Sequence, residues 1–548
     1  MKRRSFLKKM GVLATAPWML NGIPLSALAG SGEVQRLSQQ AASDRVLVII
    51  QLHGGNDGLN TLIPLDQYAR YYHLRPNLAI ADRGLRKHLL LDSSLADNQQ
   101  IGLHPDTSGF KDLYERSRMA VVQSVGYENF NGSHFRSRDI WFMGGDSDQY
   151  FGSGWIGRYL DDEFPGFPQN HPNAEMPDPP GLELGNTVSL GFHRDSGIPM
   201  GIAVDNPEQF YRLITSVGID PPASVENSYY GEELRWIMDI EQKSNQYAPR
   251  LREVYERGNN SSVVYPDLYP FNAPQNALRN GLPGQLRLIA RMLAGGIKTK
   301  VFLARIGGFD THAFQVESHD ASMGIHSALL YHLSESVNAF QKDLRALGIE
   351  DRVLTVTMSE FGRRATSNGS FGSDHGKAAP MFVFGRQVNP GIYGINPNLS
   401  ELDRGNVPMQ YDYRQVFASV LQDWMCASPA AMAASRFGPF IDSRLPLIAE
   451  SITSRESFIS RRNYLRDCYP NPVKKETTMT FRISQQGPVT ITLLDTQGRE
   501  VMTLLDSEMA PGEHTIAADL SALQNGTYLY KLESPRFSTT KKLLVDHD

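Results

Sequence analysis

The stretch VLVIIQL at residues 46–52, running straight into HGGNDGLN at residues 53–60, is the clearest guide to the fold. A run rich in Val, Ile and Leu, with no polar alternation, reads as a β-strand buried on both faces. Such strands belong to parallel sheets covered by helices. The second stretch is more than a plain turn, because His53, Asn56, Asp57 and Asn60 are interleaved with three glycines. Gly54, Gly55 and Gly58 permit a tight turn. The ionisable residues at the mouth of a core strand need another reason.

Similar runs recur along the chain as MAVVQSVG, TKVFLARIGG, RVLTVTM and MFVFG, and helical patterns separate them. The spacing of Leu329, Leu333, Val337, Phe340, Leu344 and Leu347 predicts a helix over 325–347, with Gly348 as its stop. The tract PGQLRLIARMLAGG predicts a second helix that feeds the strand TKVFLARI. These pieces predict an α/β domain over 41–466, a doubly wound and mostly parallel sheet. The Pro-, Asn- and Gly-rich tract 165–180 reads as an irregular insertion, and pocket-lining residues are expected from 170–279. The chain has 548 residues, 41% hydrophobic and 21% charged, enough for two to four units at ~150 residues each. A net charge of -5 argues against a nucleic-acid partner. Cys426 and Cys468 allow one bridge at most, so neither a disulfide framework nor a cysteine zinc site is expected.

The two ends carry addresses. Residues 1–30 read as a removable signal peptide, with a basic start, a short apolar stretch and an Ala27-Leu28-Ala29 cleavage pattern. Pro17, Asn21 and Pro24 interrupt it, so no transmembrane segment is expected. Arg3-Arg4-Ser5-Phe6-Leu7-Lys8 resembles a twin-arginine signal, which implies the twin-arginine translocase as a partner. Over 467–548, short alternating segments separated by turn residues predict a small all-β sandwich. Tyr469-Pro470-Asn471-Pro472, Gly526-Thr527-Tyr528 and Lys541-Lys542-Leu543 resemble the C-terminal sorting domain of type IX secretion. That resemblance implies export through the periplasm by the type IX machinery, to the cell surface or the medium.

In open α/β sheets, ligands bind beyond the carboxyl ends of the strands. There this chain places HGGNDGLN, YENFNGSHF, GGFDTH, SEFGRR and SDHG. Carboxylates mixed with imidazoles suit a divalent metal, with zinc, manganese or iron favoured by His and magnesium or calcium by oxygen ligands. The candidate ligands are Asp57, Asp310, His312, Glu360, Asp374 and His375. Asp57 and Glu360 have plainer readings beside the functional one, whereas the Gly-Gly-Phe-Asp-Thr-His context has little structural need for Asp310 or His312. Asp57 also suits a turn or helix cap. Glu360 and Arg363 could pair with each other at a strand end. Ser133, His134 and Arg136 are the candidate catalytic residues, with Ser133 as nucleophile near a helix N-terminus that favours anions. A simple N-cap explains Ser133 almost as well. His326 and His332 on the long helix, and the tract HLRPNLAI near His73, read as structural.

The blocks HGGNDGLNTLIPL, NGSHFRSRDIW, GGFDTH, MSEFGRR and SDHGKA resemble the bacterial family known as domain of unknown function 1501. Through it the chain is similar to the alkaline phosphatase and sulfatase superfamily, whose members hydrolyse phosphate or sulfate esters at one or two metals. The resemblance implies metal roles for Asp57, Asp310, His312 and His375. Where that superfamily carries Asp-His, this chain has Ser359-Glu360, so one imidazole is lost. The Cys-x-Pro-Ser-Arg motif of sulfatases does not occur. The expectation is therefore an exported hydrolase of small-molecule or glycan esters, using one or two ions of zinc, manganese, calcium or magnesium. The alternative is a non-catalytic surface binding protein on a degenerate hydrolase fold.

Overall fold

The computed structural model describes residues 19–20, 23–24, 44–204, 246–449, 463–483, 486–534 and 537–547. The twin-arginine signal pattern and residues 205–245 of the expected pocket-lining region lie outside the described residues. The main sheet contains β1 (Val46–His53), β2 (Met119–Gly126), β3 (Gly181–Leu184), β4 (Gly201–Val204), β5 (Val301–Gly307), β6 (Val353–Ser359), β7 (Ala379–Phe384), β8 (Gly391–Tyr393) and β9 (Tyr411–Asp412). Its order is β8-β2-β7-β6-β1-β5-β3-β4, with β9 also paired to β2.

Strand β1 lies at the middle of this sheet because its side chains suit no other place. Successive residues of a strand face opposite sides, and every residue from Val46 to Leu52 is at most 2% exposed. Both faces of the sheet are therefore covered. Parallel pairing with β5 sets His53 opposite Gly307, and parallel pairing with β6 sets Leu52 opposite Ser359. The carboxyl ends of all three strands thus reach one edge together, and the polar loops leave from that edge.

The sequence reads MFVFG as one more parallel strand, but β7 runs antiparallel to both β6 and β2. A parallel return needs a crossover, usually a helix. Between β6 and β7 the chain instead uses a loop that carries Glu360, Arg363, Asp374 and His375, and it comes back alongside β6. The predicted long helix spans Ile325–Ala346 and buries Leu329, Leu333, Val337, Phe340 and Leu344. Gly348 comes after it with a left-handed φ of 73°. Among the described residues, no helix is long and apolar enough to cross a membrane.

The C-terminal segment forms two small antiparallel sheets. One joins β10 (Tyr464–Leu465), β11 (Glu476–Ile483) and β14 (Gly512–Asp519); the other joins β12 (Gly487–Leu494), β13 (Glu500–Met509), β15 (Gly526–Ser534) and β16 (Phe537–Val545). Met479, Phe481, Val489, Ile491, Leu532 and Leu543 from the two sheets meet in a core of their own. Cys426 is exposed, Cys468 is buried, and both are free thiols.

The position of β1 makes a direct prediction. Ile49 is fully buried, and its strand lies between β5 and β6, so Ile49→Ala leaves a cavity that neither neighbour can fill. The substitution should lower the unfolding free energy by about 2–5 kcal/mol, read from denaturant melts.

Candidate metal centre

Asp310, in the loop after β5, is the point on which the carboxyl-edge loops converge. His134 Nε2 lies 3.4 Å from its Oδ2. From its Oδ1, His312 Nε2 lies 3.3 Å away and His375 Nε2 3.4 Å away. The Nε2 atoms of His312 and His375 are themselves only 2.8 Å apart. His134 opens the helix α1 (His134–Met143), which comes after β2, and His375 belongs to the loop between β6 and β7.

The far side of each ring explains how three imidazoles face one another. His134 Nδ1 is 2.6 Å from Glu360 Oε2, His312 Nδ1 is 3.2 Å from Asp374 Oδ1, and His375 Nδ1 is 2.7 Å from the Gly132 carbonyl. Carboxylates and carbonyls accept hydrogen bonds, so each Nδ1 carries a hydrogen, and Nε2 is the nitrogen that in the neutral ring presents a lone pair. The lone pairs then converge on the carboxylate of Asp310. Burial pulls the His375 imidazole below its usual range, only partly opposed by the Gly132 carbonyl. For Asp310, the upward push of burial is outweighed by Arg363, with help from His134 and His375, so its carboxyl lies below the ordinary range. Nε2 lone pairs gathered around an ionised carboxylate repel one another unless a cation lies between them. His134 Nε2 is a buried atom without a hydrogen-bond partner.

Arg363 holds these loops in place. Its guanidinium donates to the carbonyls of Gly54, Gly55, Phe309 and Ser373, and also to Asp310 Oδ1 at 2.9 Å. The alternative Arg363–Glu360 pair is not among the hydrogen bonds of Arg363, and Glu360 turns to His134 instead. Gly54 allows the closest approach. Its φ is +119°, and a Cβ there would collide with the Asp310 backbone nitrogen.

The sequence candidates therefore separate. Asp310, His312 and His375 come together, and His134 joins them. Glu360 and Asp374 lie behind the rings of His134 and His312. Asp57 stands apart as a correction to the sequence reading. Arg75 Nη1 donates to both its carboxylate oxygens at 2.7 Å, and Gln315 Nε2 donates to Oδ2 at 2.6 Å. With Asp57 and Arg75 both fully buried, those oxygens are committed to donors inside the protein. Burial would push Asp57 up, but Arg75, His326 and Gln315 bring it below the usual carboxylate range. Arg136 is a second correction. Its guanidinium donates to the carbonyls of Ser147 and Gln149 and lies 3.7 Å from the centre of the Tyr150 ring. That geometry turns it from the centre. Ser133 is exposed at the amino end of α1 and makes no side-chain cap bond.

The tract HLRPNLAI held no hint that Arg75 would be the partner of Asp57, because nothing in its local pattern marks a residue reaching back 18 positions. Gln315 was missed for the same reason. His326 and His332 are buried core residues, bonded through Nε2 to Asn56 Oδ1 and to the Leu278 carbonyl. A separate cavity, lined by Arg45, Lys300, Arg352 and Cys426, opens at the amino ends of the strands. The candidate residues are all at the opposite edge.

Residues 230–425 match the family model described as Protein of unknown function (DUF1501). The match spans the DUF1501 blocks GGFDTH, SEFGRR and SDHG, and so includes Asp310, His312, Glu360, Arg363 and His375. Residues 467–546 match the secretion system C-terminal sorting domain, which supports export and a cell-surface or secreted location. No curated protein sequence matches the chain. Among solved structures, the chain is similar to Ps i-CgsB in complex with k-i-k-neocarrahexaose, at 12% identity and TM-score 0.31, covering 81% of this chain and 83% of that one. It is also similar to BT1596, a 2-O GAG sulfatase, at 10% identity and TM-score 0.26, covering 86% and 84%. A third is the phosphonate monoester hydrolase SpPMH from Silicibacter pomeroyi, at 10% identity and TM-score 0.28, covering 91% and 88%.

The buried network below the centre yields two predictions. Removing one partner of a buried ion pair strands the other charge, so Asp57→Ala should cost about 3–5 kcal/mol of stability in denaturant melts. Burial, against the pull of Asp57, brings His326 down to about 4 from a usual 6.5. Between these values the unfolded chain binds the proton and the folded one does not. His326 therefore takes away about 3 kcal/mol of stability as pH falls from 6.5 towards 4, and costs nothing above 6.5. Stability measured across that window should fall less steeply in His326→Gln than in the parent.

Proposed function

We propose that this protein is an exported metal-dependent hydrolase of phosphate or sulfate esters, acting on small molecules or glycans. The observation that carries the reading is the meeting of the His312 and His375 Nε2 atoms with Asp310, each ring fixed through Nδ1 so that its lone pair faces the carboxylate. The donor set fits a divalent ion: two imidazole nitrogens and a carboxylate are ordinary zinc or manganese ligands. When bound, such an ion polarises the ester oxygen and stabilises charge building up on it.

The chain's own residues supply the rest. Arg363 keeps Asp310 ionised and fixed; Asp374 and the Gly132 carbonyl set the tautomers of His312 and His375. Ser133 is the proposed nucleophile. It is solvent-exposed, next to His134, at a helix N-terminus whose backbone N–H groups favour an anionic group. Attack by its oxygen on phosphorus or sulfur would release the alcohol and leave a seryl ester for water to cleave. Twin-arginine export of the folded, metal-loaded chain, and then passage through the type IX machinery, fits both terminal segments.

The test is metal analysis of the exported chain joined to an ester screen. The wild type should carry near-stoichiometric transition metal and hydrolyse a phosphate, phosphodiester or sulfate ester. Asp310→Ala should lose both properties, whereas Ser133→Ala should lose turnover and keep the metal. A wild-type chain that binds no metal and cleaves none of these esters would favour the surface binding protein instead.

A further inference from the structure

We infer that His134 is a further metal ligand and that Glu360 is the residue that positions it, giving a centre of three imidazoles and one carboxylate that selects a zinc-like transition ion over calcium or magnesium. The inference rests on the reading that Asp310, His312 and His375 hold a metal.

Sequence alone sets His134 beside Ser133 as a catalytic group and Glu360 among the ligands. The hydrogen-bond directions reverse both roles. Glu360 is fully buried, and its Oε2 takes the Nδ1 hydrogen of His134 at 2.6 Å. With Nδ1 donating to Glu360, Nε2 is the ring nitrogen left for a ligand; it faces Asp310 Oδ2 at 3.4 Å and has no hydrogen-bond partner. One ligand atom each from His134, Asp310 and His375 falls within 4.8 Å of the others. A buried carboxylate behind a ligating imidazole is the usual device for fixing its tautomer and raising its basicity.

The placement of His134 is rigid as well as directed. The Ser137 hydroxyl, one turn along α1, donates to the backbone carbonyl of Glu360, so the helix start and the carboxylate are anchored to the same residue. The rings of His134 and His375 stand edge to face with centroids 4.4 Å apart, and Phe361 packs against both, at 4.9 and 4.5 Å. Neither imidazole can swing away without losing that packing. Calcium and magnesium prefer oxygen ligands, while imidazole nitrogen favours zinc and its neighbours. With three imidazole nitrogens and a single carboxylate directed inward, the donor set matches the second class.

The experiment uses the full exported chain, stripped with a chelator and reloaded with Zn2+ or Co2+. Affinity is read by competition with a chromophoric chelator, and the ligand field from the visible bands of bound Co2+. His134→Gln should weaken Zn2+ binding by at least about 10-fold and shift the Co2+ bands, and Glu360→Gln should weaken it by about 10- to 100-fold. Excess Ca2+ should leave bound Zn2+ in place. Unchanged affinity and spectrum in His134→Gln, or displacement of Zn2+ by Ca2+, would overturn the inference. If Asp310→Ala abolishes binding while His134→Gln does not, this inference alone fails; if the wild type binds neither ion, the metal reading fails with it. Metal-free variants should melt with the metal-free wild type. Where His134→Gln melts differently, Glu360→Gln decides the matter, and unchanged affinity in it overturns the inference.

Discussion

A single guanidinium, that of Arg363, ties together the loops that make this centre. Its side chain is fully buried, and a buried charge is tolerable only when its donors are satisfied. The nearest acceptors are backbone carbonyls from three strand-end loops, Gly54 and Gly55 after β1, Phe309 after β5 and Ser373 after β6, with the Asp310 carboxylate completing the set. Those loops come within reach because β1 pairs in parallel with both β5 and β6. The charge of Arg363 therefore also fixes the carboxylate around which the histidines gather.

Asp57 with Arg75 forms a second buried charged unit below the first. Gln315 links the two, since it donates to Asp57 while its carbonyl oxygen accepts from the Ser373 and Thr311 hydroxyls. Arg363 in turn takes the Ser373 carbonyl. The result is a continuous polar floor in which few lone pairs and hydrogens go unmatched, and such a floor is rigid because each break leaves a buried group unpaired. Rigidity there serves the layer above. Three imidazoles can face one carboxylate only if something prevents their lone pairs from turning apart.

Much of the fold was legible because the relevant signals are local. The largely apolar run of β1, broken only by Gln51 before His53, announced a strand covered on both faces, and the spacing from Leu329 to Leu344 announced the long helix. At the site, Asp310, His312 and His375 were legible from their place after strands. The role of Asp57 was not, because its partners Arg75 and Gln315 are brought to it only by folding. The pairing of Glu360 with the far side of the His134 ring was not legible for a related reason. Residue type shows that a carboxylate and an imidazole are available, but which of them faces inward depends on what lies behind each.

Local pattern was enough to establish the α/β class, the all-β tail with its sorting-domain signature, and the edge of the sheet at which the candidate residues gather. Periodicity, turn residues and motif order carry that information, and all three are written along the chain. The direction of β7, the burial of Asp57 against Arg75, the turning away of Arg136 and the convergence of four donor groups arose only with folding. Each of these depends on contacts between residues far apart in sequence, and hydrogen-bond direction is fixed only when both partners are in place.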